Sequence, residues 1–293
     1  MPDIQPRRSV LYVPADKPRA VAKARNLPVD ALIFDLEDSV APQAKHAARE
    51  ALREALREPF ACDVAVRING LDTEWATEDI LAAIAVRAEA ILVPKVTGPG
   101  DIEAVAHALE QADALDAVAI WAMIETPRAL LHLAAIAACA GDPKLPLACL
   151  IIGINDLALA TRMRASPDRG AFVPWFTQIV TAARAYGLDV IDGPCNDFHD
   201  VAQLEAECRQ ARMLGMDGKS LIHPGQIEAA NRIFRPTEEE RAEATRIVAA
   251  FATPQSQGKG VISLDGRMVE RLHLVQAERI LTLAAAIDEE EAR

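Results

Sequence analysis

The sequence predicts a (β/α)8 TIM barrel with a C-terminal helical extension, and three observations lead there. Eight short apolar runs recur along the chain, and the segments between them carry apolar residues at helical spacing. Such alternation is the signature of repeated βα units and a parallel sheet. The length of 293 residues suits one large barrel, a class that runs to about 250 residues as a single domain.

The runs are Ser9–Val13, Ala31–Asp35, Val64–Ile68, Ala90–Pro94, Val118–Ile124, Ala148–Ile154, Leu188–Asp192 and a weaker one near Gly218–Ile222. Most are apolar throughout, as strands buried on both faces must be. In the second unit Ala44, Ala47, Ala48, Ala51, Leu52 and Ala55 repeat at helical spacing, and in the fifth Leu130, Leu133, Ala134 and Ala137 do the same. Thr126 followed by Pro127 reads as an N-cap with proline at N1, which sets Glu125 at the top of a strand. The polar segment Ala158–Phe172 is long for a βα connection and reads as a functional loop or flexible lid. Beyond the eighth unit come a charged helix from near Thr237, a Gly/Ser/Gln-rich stretch at Thr253–Gly260 and a last helix from about Met268. The expected division is therefore a catalytic barrel over 1–236 and a helical lid extension over 237–293.

Composition narrows the partners. With 31 basic against 43 acidic residues and a net charge of -12, a nucleic-acid backbone would be repelled. The five cysteines form no CxxC pair and sit mostly in apolar runs, as reduced core residues do. No apolar run approaches the ~18 residues of a membrane span, and the start MPDIQPRRSV lacks a secretory h-region, so a cytoplasmic protein with no membrane partner is expected. Phosphate-loop, Rossmann and GxSxG motifs are missing, and the six histidines lack metal-ligand spacing. Only His223, followed by Pro224, has a rim position.

In such barrels the active site lies at the carboxy ends of the strands. The polar residues collected there are Asp35-Leu36-Glu37-Asp38, Arg67-Ile68-Asn69, Pro94-Lys95, Glu125-Thr126 and Asn155-Asp156. Glu125 and Asp156, from adjacent strand ends, suit Mg2+, which takes hard oxygen ligands and keeps waters for a substrate to displace. The alternative makes Glu125 a helix N-terminal acid and Asp156 a loop residue. Arg67 offers a planar fork for a substrate carboxylate, or else forms a structural ion pair with Glu37 or Asp38. Those two acids either order the water around a metal or hold Arg67.

The segments RRSVLYVPADKPR (7–19), ALIFDLEDSV (31–40), VRING (66–70), ILVPKV (91–96), MIETPRAL (123–130), IIGINDLA (151–158), DGKSLIHPGQI (217–227) and GKGVISLDGRMVE (258–270) span nearly the whole chain. In that order and spacing they resemble the citrate lyase β-subunit-like branch of the HpcH/HpaI aldolase family. The resemblance implies a TIM barrel in homotrimers or hexamers, Mg2+ held by Glu125 and Asp156, and Arg67 on the carboxylate of a small 2-oxo acid. It implies that Pro14, Lys17, Arg19, His223 and Pro224 bind a coenzyme A (CoA) thioester. Asp265, in a lid over a neighbouring subunit, would act as acid/base on the acyl methyl carbon. The chain departs from the family pattern at Pro14-Ala15, where Pro-Gly is common, and at Glu270-Arg271-Leu272, where Asp-x-Pro usually follows the lid methionine. The activity so implied is Mg2+-dependent carbon–carbon cleavage of malyl-CoA or citramalyl-CoA, with Glu37, Asp38, Arg67 and Asp265 at the catalytic centre. The alternatives are hydrolysis of malyl-CoA and a citryl lyase subunit acting on a carrier-protein thioester.

Overall fold

The computed structural model describes residues 5–164, 166–256 and 258–292. Ala165, in the expected loop, and Gln257, in the expected linker, lie outside the described residues.

Each apolar run forms a strand and each spacer a helical segment. The chain runs β1 (Ser9–Pro14), α1 (Pro18–Ala24), β2 (Ala31–Asp35), α2 (Lys45–Ala55), β3 (Asp63–Arg67) and α3 (Ala76–Ala85). It continues with β4 (Ala90–Val93), α4 (Pro99–Gln111), β5 (Ala119–Ile124), α5 (Pro127–Leu131), α6 (Leu133–Ala138), β6 (Leu147–Ile152) and α7 (Ile154–Thr161). After α8 (Val173–Ala185) come β7 (Asp189–Asp192), α9 (Val201–Met213), β8 (Gly218–Leu221) and α10 (Ile227–Phe234). All eight strands are parallel and close into a barrel, β1 pairing with both β2 and β8. At that closing seam Ser9 lies opposite Lys219 and Leu11 opposite Leu221. Gly218 opens β8 there because a Cβ at that position would stand 1.7 Å from the Arg7 carbonyl oxygen.

Alternate residues of the strands fill the interior: Val10, Ala31, Ile33, Ala65, Leu92, Trp121, Met123, Cys149, Ile151 and Ile191 belong to one buried cluster. The other set packs under the helices, as a two-residue period requires.

A second compact unit is built from residues 5–6 and 232–292, the division falling inside α10. Its elements are α11 (Glu238–Phe251), the antiparallel hairpin of β9 (Val261–Leu264) and β10 (Arg267–Glu270), and α12 (Arg271–Glu291). Thr237 caps α11 by accepting from the Glu240 amide, and Glu240 answers the Thr237 amide. No helix among the described residues is long and apolar enough to cross a membrane.

Four expectations need correction. The inner face of α2 is Lys45, Ala48, Arg49 and Leu52, with Ala47 exposed, because Arg49 pairs with Asp79 at 3.0 Å and Lys45 donates to the Leu36 and Glu37 carbonyls at 2.8 and 2.7 Å. The fifth helix breaks at His132 into α5 and α6, which leaves Ala134 exposed. The last helix begins at Arg271, since Met268 is needed for the hairpin. The segment Ala158–Phe172 is not loop throughout: α7 takes its start as far as Thr161, and Arg169 anchors its end, buried and donating to both Asp192 oxygens at 2.9 and 2.8 Å.

The same acid explains why the eighth strand reads weakly. Lys219 is fully buried within it, donating to Asp192, Glu207 and the Gly193 carbonyl at 2.7, 2.8 and 2.6 Å. Burial works to raise the Asp192 carboxyl, but Lys219 and Arg169 outweigh it and hold it below the ordinary aspartate value. A carboxyl lowered in the folded state stabilises fully above its unfolded value of about 3.9 and loses that contribution as pH falls through the folded value. Lys219→Met should therefore cost about 3 kcal/mol at neutral pH, the scale for removing one partner of a buried pair. Urea titrations of the two proteins should converge as pH is taken well below that unfolded value.

Candidate active site

The inward rows of the barrel continue past its apolar core. On β1 the row reads Val10, Tyr12, Pro14; on β2 Ala31, Ile33, Asp35; on β3 Ala65, Arg67; and from β5 Trp121, Met123, Glu125. Period two thus carries two acids and a guanidinium to the mouth. There a cavity of about 390 Å³ is lined by Tyr12, Pro14, Asp35, Asp38, Arg67, Met123, Gly153, Asp156 and Ile222, among others.

Arg67 and Asp35 form a parallel fork, Nε to Oδ1 and Nη2 to Oδ2, both at 2.7 Å. The Asp35 oxygens also accept from the Glu37 and Ser39 amides at 2.9 and 3.1 Å, which folds the acidic turn back over the strand end. Burial disfavours the Asp35 carboxylate, yet the Arg67 hydrogen bonds and charge prevail and keep it below the usual range. The Tyr12 ring lies under the guanidinium, 4.9 Å from it. Arg67 Nη1 stands 3.0 Å from Glu37 Oε2 and 3.8 Å from Asp38 Oδ2. The Glu37 contact is an ion pair without hydrogen-bond direction, for Oε2 has no hydrogen-bond partner.

Glu125 follows β5 directly and is 1% exposed. Its Oε1 accepts from the Lys95 amide at 2.6 Å, while its buried Oε2 has no hydrogen-bond partner. The amide can point there because Lys95 adopts φ +54, a left-handed conformation that costs a non-glycine residue roughly 1–2 kcal/mol. Gly153 makes room for the carboxylate, as a Cβ there would lie 2.4 Å from Glu125 Cβ and 2.6 Å from Oε2. Asp156 lies in the first turn of α7, not at a strand end as expected, because β6 stops at Ile152 and Gly153 caps the helix. The helix N-terminus favours its negative charge. Lys95 Nζ joins the two acids, 2.8 Å from Asp156 Oδ1 and 3.6 Å from Glu125 Oε1.

Burial pushes the Glu125 carboxyl up to about 7, against the pull of Lys95, and the Glu37 carboxyl up to about 8, against Arg67. Among the described residues no group of three or more His, Cys, Asp or Glu side chains is poised around one metal position. A two-carboxylate site nonetheless fits Mg2+, which is commonly bound by one or two carboxylates with water and substrate completing the shell. The unpartnered Glu125 Oε2 is the oxygen that such an ion would satisfy.

Glu37, Asp38, Arg67, Glu125 and Asp156 are thus brought together, and Pro14 lines the cavity with Asp38, Arg67 and Asp156. Lys17 and Arg19 are exposed at the start of α1, Lys17 paired with Asp16 at 3.1 Å. His223 is exposed, stacks on Phe198 at 4.8 Å and caps the short turn begun by Pro224 through the Gly225 amide. Asp265 belongs to the second unit, exposed at the tip of the β9–β10 hairpin, where it and Gly266 have φ +52 and +77. Sequence reasoning missed the parts of Asp35, Tyr12 and Gly153. The signal for the first two was the alternation of Ile33 with Asp35 and of Val10 with Tyr12.

The family model for HpcH/HpaI aldolase/citrate lyase matches residues 8–224. A (3S)-malyl-CoA thioesterase of Cereibacter sphaeroides is 44% identical over 284 residues, covering 96% of each chain. An L-malyl-CoA/beta-methylmalyl-CoA lyase of the same species is 32% identical over 315 residues, covering 98% of this chain and 97% of its own. The solved structure of CitE from Mycobacterium tuberculosis in complex with magnesium, acetoacetate and coenzyme A superposes with a TM-score of 0.76 at 30% identity, over 94% of this chain and 97% of that one.

Gly153→Ala should force Glu125 off the Lys95 amide while leaving the barrel folded. Mg2+ titration calorimetry should register an affinity loss of about 10–100-fold, the usual effect of disturbing groups that orient a metal ligand. An unchanged affinity would remove Glu125 from the ligand set.

Proposed function

The chain belongs to the HpcH/HpaI aldolase/citrate lyase family, and on that premise we propose that it hydrolyses a malyl-type CoA thioester at the barrel mouth, with Mg2+ as cofactor. The observation that carries hydrolysis ahead of the carbon–carbon cleavage expected first is the 44% identity to a malyl-CoA thioesterase across 96% of both chains, against 32% to the lyase.

Hydrolysis adds water to the thioester carbonyl carbon and expels the CoA thiolate, which takes up a proton; the products are the hydroxy-diacid and free CoA. Arg67, held by Asp35 through Nε and Nη2, keeps Nη1 outside that fork, beside Glu37 and Asp38, where the free carboxylate of the substrate would meet it. Asp38 lines the cavity with its side chain 64% exposed and accepts the proton of the attacking water. Glu125 and Asp156 would hold Mg2+, whose contribution is Lewis-acid polarisation of substrate oxygens. Pro14 and Ile222, in the cavity wall, flank the path of the pantetheine arm.

The lyase relative supports a second reading of the same site. Cleavage by a retro-Claisen step leaves a thioester enolate whose methyl carbon must be protonated, and Asp265 is the acid proposed for it, supplied by a neighbouring subunit of a homo-oligomer. Hydrolysis produces no such carbanion. If cleavage occurs, mixed oligomers of Asp265→Asn and Glu125→Ala subunits should regain part of it; failure despite proven subunit exchange would remove the role across subunits.

Malyl-CoA incubated with the purified protein and Mg2+ should yield malate and free CoA in equal amounts by mass spectrometry. Acetyl-CoA and glyoxylate as the main products would reverse the assignment. Excess chelator should abolish turnover, and Mg2+ or Mn2+ should restore it. Arg67→Lys keeps the charge but loses the planar fork, so kcat/KM should fall by about 2–5 kcal/mol in transition-state terms.

A further inference from the structure

Lys95 is ion-paired with both proposed metal ligands. Its ammonium lies 2.8 Å from Asp156 Oδ1, 3.6 Å from Glu125 Oε1 and 4.0 Å from Glu37 Oε1, so it stands among three carboxyl groups. The backbone is fixed by its left-handed conformation and by the amide bond to Glu125. The side chain is 38% exposed, and a lysine stem leaves its compact charge free to rotate. A divalent cation held by Glu125 and Asp156 would meet that ammonium at contact distance, and like charges exclude one another there. Glu37 offers the ammonium somewhere to go: its Oε1 is within 4.0 Å already, while its Oε2 faces Arg67 Nη1 at 3.0 Å.

We propose that Lys95 is the resident counter-ion of the Glu125–Asp156 pair and that a divalent cation enters by displacing its ammonium onto Glu37. Lys95 is then a positioning residue for the metal-free site and a competitor for the metal. Glu37 contributes to metal binding only by receiving the displaced charge. This rests on the reading of Glu125 and Asp156 as the metal ligands.

Calorimetric titration of the full-length protein with Mg2+ tests it without reference to turnover. Lys95→Met and Lys95→Gln should each tighten Mg2+ binding by about tenfold, the scale on which groups beside the ligands shift metal affinity. Without metal both variants should melt below wild type, and saturating Mg2+ should raise their midpoints by more than it raises that of wild type. Glu37→Gln should weaken Mg2+ binding in the wild-type background and have no effect beside Lys95→Met. Unchanged or weaker binding in both Lys95 variants, or a Glu37→Gln effect of equal size in both backgrounds, would overturn the displacement. A wild-type protein that takes up no Mg2+ would instead overturn the ligand assignment and this inference with it.

Discussion

The mouth of the barrel depends on the fork between Arg67 and Asp35. A guanidinium at the end of an inward row leaves water on three sides, and a buried charge is tolerated only when paired and hydrogen-bonded. Asp35 meets that demand from the next strand with two parallel bonds of 2.7 Å, and the register that sets Asp35 opposite Arg67 is the ordinary pairing of β2 with β3. The same carboxylate then captures the Glu37 and Ser39 amides, so the turn that carries Glu37 and Asp38 is shaped by the pair as well. One interaction therefore neutralises a buried charge, orients the remaining guanidinium nitrogen toward Glu37 and fixes the acidic turn beside it.

Much of this was legible in the sequence because strands buried on both faces leave apolar runs, and all but the eighth stood out clearly as such. That Glu37, Asp38 and Glu125 gather at the barrel mouth was legible from their places after strands, whereas Asp156 reaches it from the first turn of α7. What escaped was polar burial. Lys219 weakens the apolar signature of β8, yet it is fully enclosed because three oxygens surround its ammonium. Lys45 and Arg49 take the inner face of α2 that alanines alone seemed to mark, since each finds an oxygen partner there. Arg169 turns a polar loop into an anchored one by the same means. In each case the partner lies 8 or more residues away in sequence, as with Lys45 and Glu37, and 27 away for Lys219 and Asp192, so no local pattern announces it.

Hydrolysis and carbon–carbon cleavage make nearly the same demands on this site. Both need the free carboxylate of the substrate anchored, the oxygens polarised and the thioester aligned along the mouth. They part at the atom that changes bonding, the carbonyl carbon in one and the bond beyond it in the other.

The seam between β1 and β8 has a consequence for how the chain reaches this state. Ser9 and Lys219 are neighbours in the sheet although nearly the whole barrel lies between them in sequence, and Gly218 is the point where the backbone of residue 7 passes too close for any side chain. Closure therefore waits until the last strand has left the ribosome. Until then β1 and the newest strand are open edges with unpaired amides and carbonyls, the surface on which strands of separate molecules join. The slow, non-local character of this last pairing makes the interval before closure the period of greatest exposure to aggregation, and it concentrates that hazard at the two ends of the nascent sheet.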